Sequence, residues 1–255
     1  MIIDSHCHLS YKNDVSKIDE ILERAAKVGV NKFLNIATHF NEFETIQSIS
    51  DTYENIYFTL GVHPHESTQT NDEVVNYIRN NLSNQKLLGI GETGLDYYYN
   101  HSDKVCQIKS LEIHIELAQE IEKPLIIHMR DAEEDIIRIF SKKIKQKKFS
   151  GVIHCFTGSL KFAQEIIEMG FFISASGIIT FKNSGLLRDT FQKIPLTNLL
   201  VETDTPYLAP IPNRGKENEP SFIVHTIEKL CEIHSVDFQE MCKITTNNFA
   251  KLFNI

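Results

Sequence analysis

Ile2-Ile3-Asp4-Ser5-His6-Cys7-His8 opens the chain, and how this stretch folds decides how the rest is read. The apolar residues that lead into it read as a buried strand. Along a strand, residues two apart point to the same side, so His6 and His8 face one way and Cys7 the other. Neutral imidazole is a common ligand for divalent metals, and two imidazoles at one strand end are the beginning of such a site. Alone, His-x-His is a weak signal. It gains weight because acids and histidines recur at the ends of later apolar runs.

Those runs alternate with amphipathic stretches along the whole chain, the pattern of a parallel α/β fold. After the first strand, further strands are expected at residues 32–38, 56–62, 87–91, 125–128, 151–154, 171–176 and 199–202. Helices are expected at 15–28, 42–52, 72–80, 102–122, 132–147, 160–169 and 186–192, with two closing helices within 220–253. Eight strands with their helices in 255 residues match the size of a (β/α)8 TIM barrel. No Pro-, Gly- or Ser-rich linker, internal repeat or low-complexity tract divides the chain, so residues 1–255 are expected to form a single domain. The long irregular stretch 206–220 follows the eighth strand and is expected to lie over the pocket.

Composition narrows the class. Hydrophobic residues make up 42 %, enough for a real core, and no stretch is long and apolar enough to span a bilayer. No basic-then-apolar leader precedes the first strand, so the expected compartment is the cytoplasm. The five cysteines show no paired spacing and are expected to be reduced, with Cys7 and Cys155 pointing away from the metal if both segments are strands. The formal net charge of −8 argues against a basic surface for general nucleic-acid binding. It leaves a phosphodiester substrate open, because bound metal ions supply positive charge locally. The basic run from Lys142 to Lys148 ends a predicted helix and reads as a solvated helix end that complements the dipole.

The polar residues that end the predicted strands are His6 and His8, His63, Glu92, His128, His154 and Asp204. A (β/α)8 barrel brings all its strand ends to one face, so these residues are expected to meet in one cavity. Even without His63, the remaining four histidines and two acids exceed the three protein ligands of a one-metal catalytic zinc. Two neighbouring sites are the economical reading, with Glu92 as the carboxylate shared between them. The mixed nitrogen and oxygen set suits Zn, Mn or Fe and does not decide among them.

Several motifs carry a resemblance. His6-Cys7-His8-Leu9, Gly61-Val62-His63-Pro64-His65, Gly89-Ile90-Gly91-Glu92-Thr93-Gly94-Leu95-Asp96-Tyr97 and Pro124 to Arg130 resemble the TatD family of metal-dependent deoxyribonucleases. So do Gly151 to Gly158, Glu202 to Pro210 and Arg214 to Pro220, all in family order from residue 4 to 220. The resemblance implies an amidohydrolase-like barrel that cleaves DNA, often from the 3′ end, with two divalent ions per chain, Mg, Mn or Zn. It assigns His6, His8, Glu92 and Asp204 to one ion and Glu92, His128 and His154 to the other. Thr93 stands where many members carry Ile, and His114 where many carry Gln.

Roles follow from that resemblance and from ion chemistry. Asp204 is expected to accept the proton of the attacking water, and Asp204 and Glu92 are the expected catalytic carboxylates. Glu202, two residues earlier, should share that face and orient a ligand, or be a buried acid paired with a cation. His63 is expected at the scissile phosphate, and His65 one step further out. Arg130 and Arg214 are the cations expected at flanking phosphates, although Arg214 also reads as a surface ion-pair partner. Tyr97, Tyr98 and Tyr99 read either as base-stacking residues or as an aromatic lid.

Three functions remain open on the sequence. The first is a nuclease acting on DNA single strands or 3′ ends, with no membrane partner and a monomer as the default state. The second is a metal-dependent hydrolase of an ester or amide, such as an aminoacyl-tRNA ester. The third is a non-catalytic metal-binding protein. The ligand set cannot separate the first two, but a phosphate substrate calls for a cation such as Arg130 near the metals.

Overall fold

The computed structural model describes residues 1–10, 15–99 and 101–255. Its strands are β1 (Ile2–Cys7), β2 (Val30–Ile36), β3 (Ile56–Leu60), β4 (Leu87–Asp96), β5 (Leu125–Arg130), β6 (Gly151–Ile153), β7 (Phe172–Ala175) and β8 (Leu199–Val201). They form one parallel sheet in sequence order. Closure between β8 and β1 runs through the bridge Cys7–Thr205. The Asp204 amide donates to the His6 carbonyl and the His8 amide to the Thr205 carbonyl, both at 2.9 Å. The barrel expected from the alternation is therefore present as a single (β/α)8 unit.

Between the strands run α1 (Ile18–Lys27), α2 (Phe43–Thr52), α3 (Asp72–Asn80), α4 (Lys104–Ile121), α5 (Glu133–Ile144), α6 (Leu160–Glu168) and α7 (Gly185–Phe191); α8 (Ile223–His234) and α9 (Phe238–Phe253) close the chain. Local sequence fixes several starts. The side chains of Asn71, Asp103, Ser159 and Asp237 accept backbone N–H groups of the first turns of α3, α4, α6 and α9, satisfying donors that a helix cannot satisfy itself.

Strand alternation sorts the apolar residues into two layers. Phe33, Phe58, Leu125, Ile127, Ile153, Ile173, Leu199 and Val201 face outward and pack beneath the helices. Ile3, Leu34, Ile36, Leu88, Ile126, Val152, Phe172 and Leu200 face inward, and Phe249, Leu252 and Phe253 of α9 plug that end of the barrel. The opposite end, where the strands finish, is left for polar side chains.

Two strands depart from simple alternation. In β1, Ile3 belongs to the inner cluster and Cys7 to the outer one, although residues four apart on a regular strand face the same side. A register irregularity between Asp4 and Cys7 makes the switch, and it turns His6 and His8 inward. Strand β4 continues to Asp96, five residues past the expected end at Gly91. No helix among the described residues is long and apolar enough to cross a membrane.

Candidate metal centre

Five strand ends deliver the cluster: β1 gives His6 and His8, β4 gives Glu92, β5 His128, β6 His154 and β8 Asp204. Glu92 sits at its centre, 3 % exposed. Its Oε2 faces His6 Nε2 at 3.4 Å and His8 Nε2 at 4.0 Å. Its Oε1 faces His154 Nε2 at 2.8 Å and His128 Nδ1 at 3.2 Å. Asp204 Oδ1 lies 3.5 Å from His8 Nε2 and 3.7 Å from His6 Nε2. The two oxygens of one carboxylate thus address two separate histidine pairs.

The outward-facing nitrogens of three of these rings are already engaged. His8 Nδ1 lies 3.0 Å from the Ile36 carbonyl, His128 Nε2 3.0 Å from Asp96 Oδ2 and His154 Nδ1 3.3 Å from Glu202 Oε1. A proton on each of those nitrogens leaves the other one as a lone pair aimed at the cluster, the arrangement by which outer partners orient metal-binding histidines. His63 differs. Its Nδ1 accepts the His65 amide at 3.2 Å, so the neutral ring carries its proton on Nε2, which faces Glu92 Oε1 at 3.5 Å.

Charge balance points the same way. Among the described residues, every ion-pair partner of Glu92 and Asp204 is a histidine, with no lysine or arginine beside them. Burial alone would raise the Glu92 pKa, but His154, His63 and His128 outweigh it and hold the carboxyl well below the usual range. Burial, and then His154 stacked at 3.9 Å, press His6 down to about 4, so that ring is neutral. Donor atoms 2.8–4.0 Å apart match the spacing around ions held at ~2.0–2.2 Å. The donor set fits divalent metal on both sides of Glu92.

Asp96 completes the support and was not singled out from the sequence. Its Oδ2 lies 3.0 Å from both His128 Nε2 and His65 Nε2, and its Oδ1 accepts the Tyr98 and Tyr99 amides at 3.0 and 2.9 Å. Four residues after Glu92 on an extended strand, it shares Glu92's side; recognising β4 as the longer strand would have found it. Above the cluster lies a cavity of about 440 Å³, whose rim includes His39, His65, Tyr99, Arg130, Tyr207 and Leu208.

Comparison with known proteins agrees. The family described as TatD related DNase matches residues 3–254. The chain belongs to the TatD family of metal-dependent hydrolases. Over its whole length it is 39 % identical to the uncharacterized metal-dependent hydrolase YcfH of Escherichia coli K12, covering 96 % of that protein. It is 31 % identical to the 3′-5′ ssDNA/RNA exonuclease TatD of Citrobacter rodentium, covering 100 % of this chain and 98 % of that one. The crystal structure of YJJV, a TatD homologue from E. coli K12, superposes with a TM-score of 0.91 at 28 % identity, covering 100 % of this chain and 98 % of that one.

The remaining expectations can be placed within this TatD fold. Glu202 is fully buried; its Oε1 accepts the Cys155 amide at 2.7 Å and faces His154, so it orients that ring. Arg130 lines the cavity and lies over the Tyr98 ring, 4.7 Å from its centroid. Tyr97 turns away, its hydroxyl donating to Asp135 at 2.7 Å, whereas Tyr98 and Tyr99 are exposed. Arg214 is not among the cavity residues. It is exposed and stacks on Phe181 at 3.9 Å, with neither a surface ion pair nor a cavity contact among the described residues.

Cys155 also departs from expectation. It lies past the end of β6 in a left-handed conformation, φ 44°, so strand alternation does not govern it and it lines the cavity. Cys7 does point away, its thiol toward the Leu34 carbonyl. The expected cover from 206–220 is present in Tyr207 and Leu208, held by Asn218, whose side-chain amide donates to the Thr203 and Tyr207 carbonyls. His114 serves packing: its Nε2 accepts the Val62 amide at 3.2 Å, and Nδ1 lies 2.8 Å from the Ser110 carbonyl.

Proposed function

We propose that this chain is a deoxyribonuclease that hydrolyses phosphodiester bonds of DNA single strands or 3′ ends with two divalent ions, Mg, Mn or Zn. The observation that carries the reading is Glu92, whose two oxygens face separate histidine pairs beneath a cavity with Arg130 at its rim. His6, His8, Glu92 and Asp204 would hold one ion, and Glu92, His128 and His154 the other. Bound there, such ions make a water acidic and neutralise charge on the phosphate.

The chain's own residues supply the rest. Asp204 accepts the proton of the attacking water on its carboxylate. His63, with its proton on Nε2, donates to a phosphate oxygen above Glu92. Arg130 grips the next phosphate through its guanidinium fork, and Tyr98 beneath it limits where that fork can swing. Arg214, outside the cavity, can meet only a phosphate further along the strand. Asp96 and Glu202 keep His128 and His154 turned toward the centre. The exonuclease name of the Citrobacter rodentium relative supports action at strand ends.

The test is cleavage of labelled single- and double-stranded DNA by chelated protein reconstituted with Mg, Mn or Zn in turn. Activity on single strands restored by at least one ion is the expected result. Failure with every ion, together with hydrolysis of an aminoacyl ester, would move the assignment to a carbon centre.

A further inference from the structure

A second, smaller pocket of about 190 Å³ opens beside His8 and shares His8, Thr38, His39 and Tyr207 with the main cavity. Its volume lies below the ~300 Å³ at which clefts for drug-sized ligands begin, so it accepts one sugar or base and not a run of nucleotides. Glu42 stands in its wall, and Glu66 at the lip of the main cavity. Both carboxylates are fixed. Glu42 Oε2 accepts the Thr38 and His39 amides and the Thr38 hydroxyl at 3.0–3.3 Å, and Glu66 Oε2 accepts the Gln69 side-chain amide at 2.8 Å.

His39 lies between them, Nδ1 3.6 Å from Glu42 and Nε2 3.4 Å from Glu66. Even when protonated, it cancels only one of the two negative charges. The described residues of the small pocket include no lysine or arginine. Arg130, by contrast, belongs to β5, and the small pocket is framed by residues that follow β1, β2 and β8. Among the described residues lining the two pockets, Arg130 at the end of β5 is the one lysine or arginine, whereas Glu42 and Glu66 follow β2 and β3.

Taking the chain as the nuclease proposed above, we infer that the pocket beside His8 receives the terminal sugar of the strand, and that Glu42 and Glu66 make it a stop. A strand running on through it would bring a phosphate against two fixed carboxylates, and such like-charge contacts are costly. A strand that ends there presents a hydroxyl, which donates to a carboxylate. The body of the strand leaves on the side of Arg130 and Tyr99.

The experiment uses the metal-loaded full chain and three forms of one single-stranded oligonucleotide: ending in a hydroxyl, ending in a phosphate, and closed into a circle. The attacked end is found first with 5′- and 3′-labelled strands. The hydroxyl end should be cut at least ~10-fold faster than the phosphate end, and the circle should stay intact. Glu66→Gln and Glu42→Gln should each bring the hydroxyl-to-phosphate ratio toward one, with metal content unchanged. Glu66→Gln decides the matter if Glu42→Gln, which loses part of the Thr38 turn, fails to fold. Equal cutting of both ends or cutting of the circle by the natural chain would overturn the stop while leaving the nuclease standing. A hydroxyl preference untouched by either variant would overturn it too. No cleavage of any form would overturn both readings.

Discussion

The two ends of the barrel are built from the same strands and have opposite chemistry. On β5, β6 and β8 the inward side chain changes from apolar to polar in one pleat: Ile126 to His128, Val152 to His154, Leu200 to Glu202. Below that step, α9 presses Phe249, Leu252 and Phe253 into an apolar plug. Above it, buried acids and imidazoles face one another with histidine as their only ion-pair partner among the described residues. Apolar burial stabilises the lower end at roughly 25 cal/mol per Å², whereas burying charge at the upper end costs stability unless a counter-charge is bound. The barrel separates what holds it together from what it does, along one axis.

The largest effect should come from breaking the upper end at its centre. Glu92→Ala removes the only side chain among the described residues that forms ion pairs with both histidine pairs. The loss of metal-derived stabilisation, several kcal/mol, corresponds to a fall in activity on the order of 10³-fold or more. Elemental analysis of the purified variant should show both ions depleted; two ions retained per chain would end the bridging role.

The matching break at the lower end is Phe249→Ala. Phe249 is 1 % exposed and packs against Phe253 with ring centroids 4.5 Å apart. Truncating a buried phenylalanine costs about 3–5 kcal/mol, to be read from denaturant unfolding. Metal content and specific activity of the folded fraction should stay at wild type. Metal loss at full stability would show that the two ends are not independent.

Most of this contrast was legible in the sequence. Residues that repeat an alternating or helical pattern were placed correctly, because periodicity encodes which side is buried. The structure departs from the expected pattern where the periodicity is broken or extends further than expected. Asp96 lies beyond the strand expected at 87–91, yet β4 continues to it. Strand parity fails at Cys155, whose φ is positive. Lys143 sits in a run that reads as solvated, yet it follows Ile136, Ile139 and Phe140 at helical spacing and is buried, with its ammonium on Glu116. The His65 amide on His63 Nδ1 is a contact no spacing predicts. Arg214 lies in a loop, where no repeat constrains direction.

A smaller effect is expected at the rim of the upper end. Arg130→Met keeps much of the bulk and removes the charge. Losing a charge-assisted contact of this kind costs about 1.5–3 kcal/mol, or roughly 10- to 150-fold in DNA cleavage if the contact is made in the transition state. Metal content should not change. A small uncharged ester, if hydrolysed at all, should be cut equally by both forms. An unchanged rate on DNA would make Arg130 a packing partner of Tyr98 and weaken the case for a phosphate substrate.

The smallest effect is expected from the basic run at the lower end, and it tests whether the contrast extends to the surface. Helix α5 begins just after the rim residue Arg130 and runs back from the active face, so Lys142 to Lys148 lie at its far end. There they complement the helix dipole. Lys147 faces Glu122 at 3.6 Å, while Lys142 and Lys148 are exposed. Lys143 must be left alone, because its side chain is buried in α5 packing and its ammonium pairs with Glu116. Replacing Lys142, Lys147 and Lys148 with Gln should therefore shift stability by no more than about 0.5 kcal/mol. DNA cleavage should change by less than about twofold, since exposed charges further from the site than a Debye length, ~8 Å at physiological salt, are largely screened. The informative measurement is KM for single-stranded DNA at low and physiological salt. A tenfold rise that persists at physiological salt would mean that DNA tracks down the side of the barrel, and that the lower end takes part in binding as well as in folding.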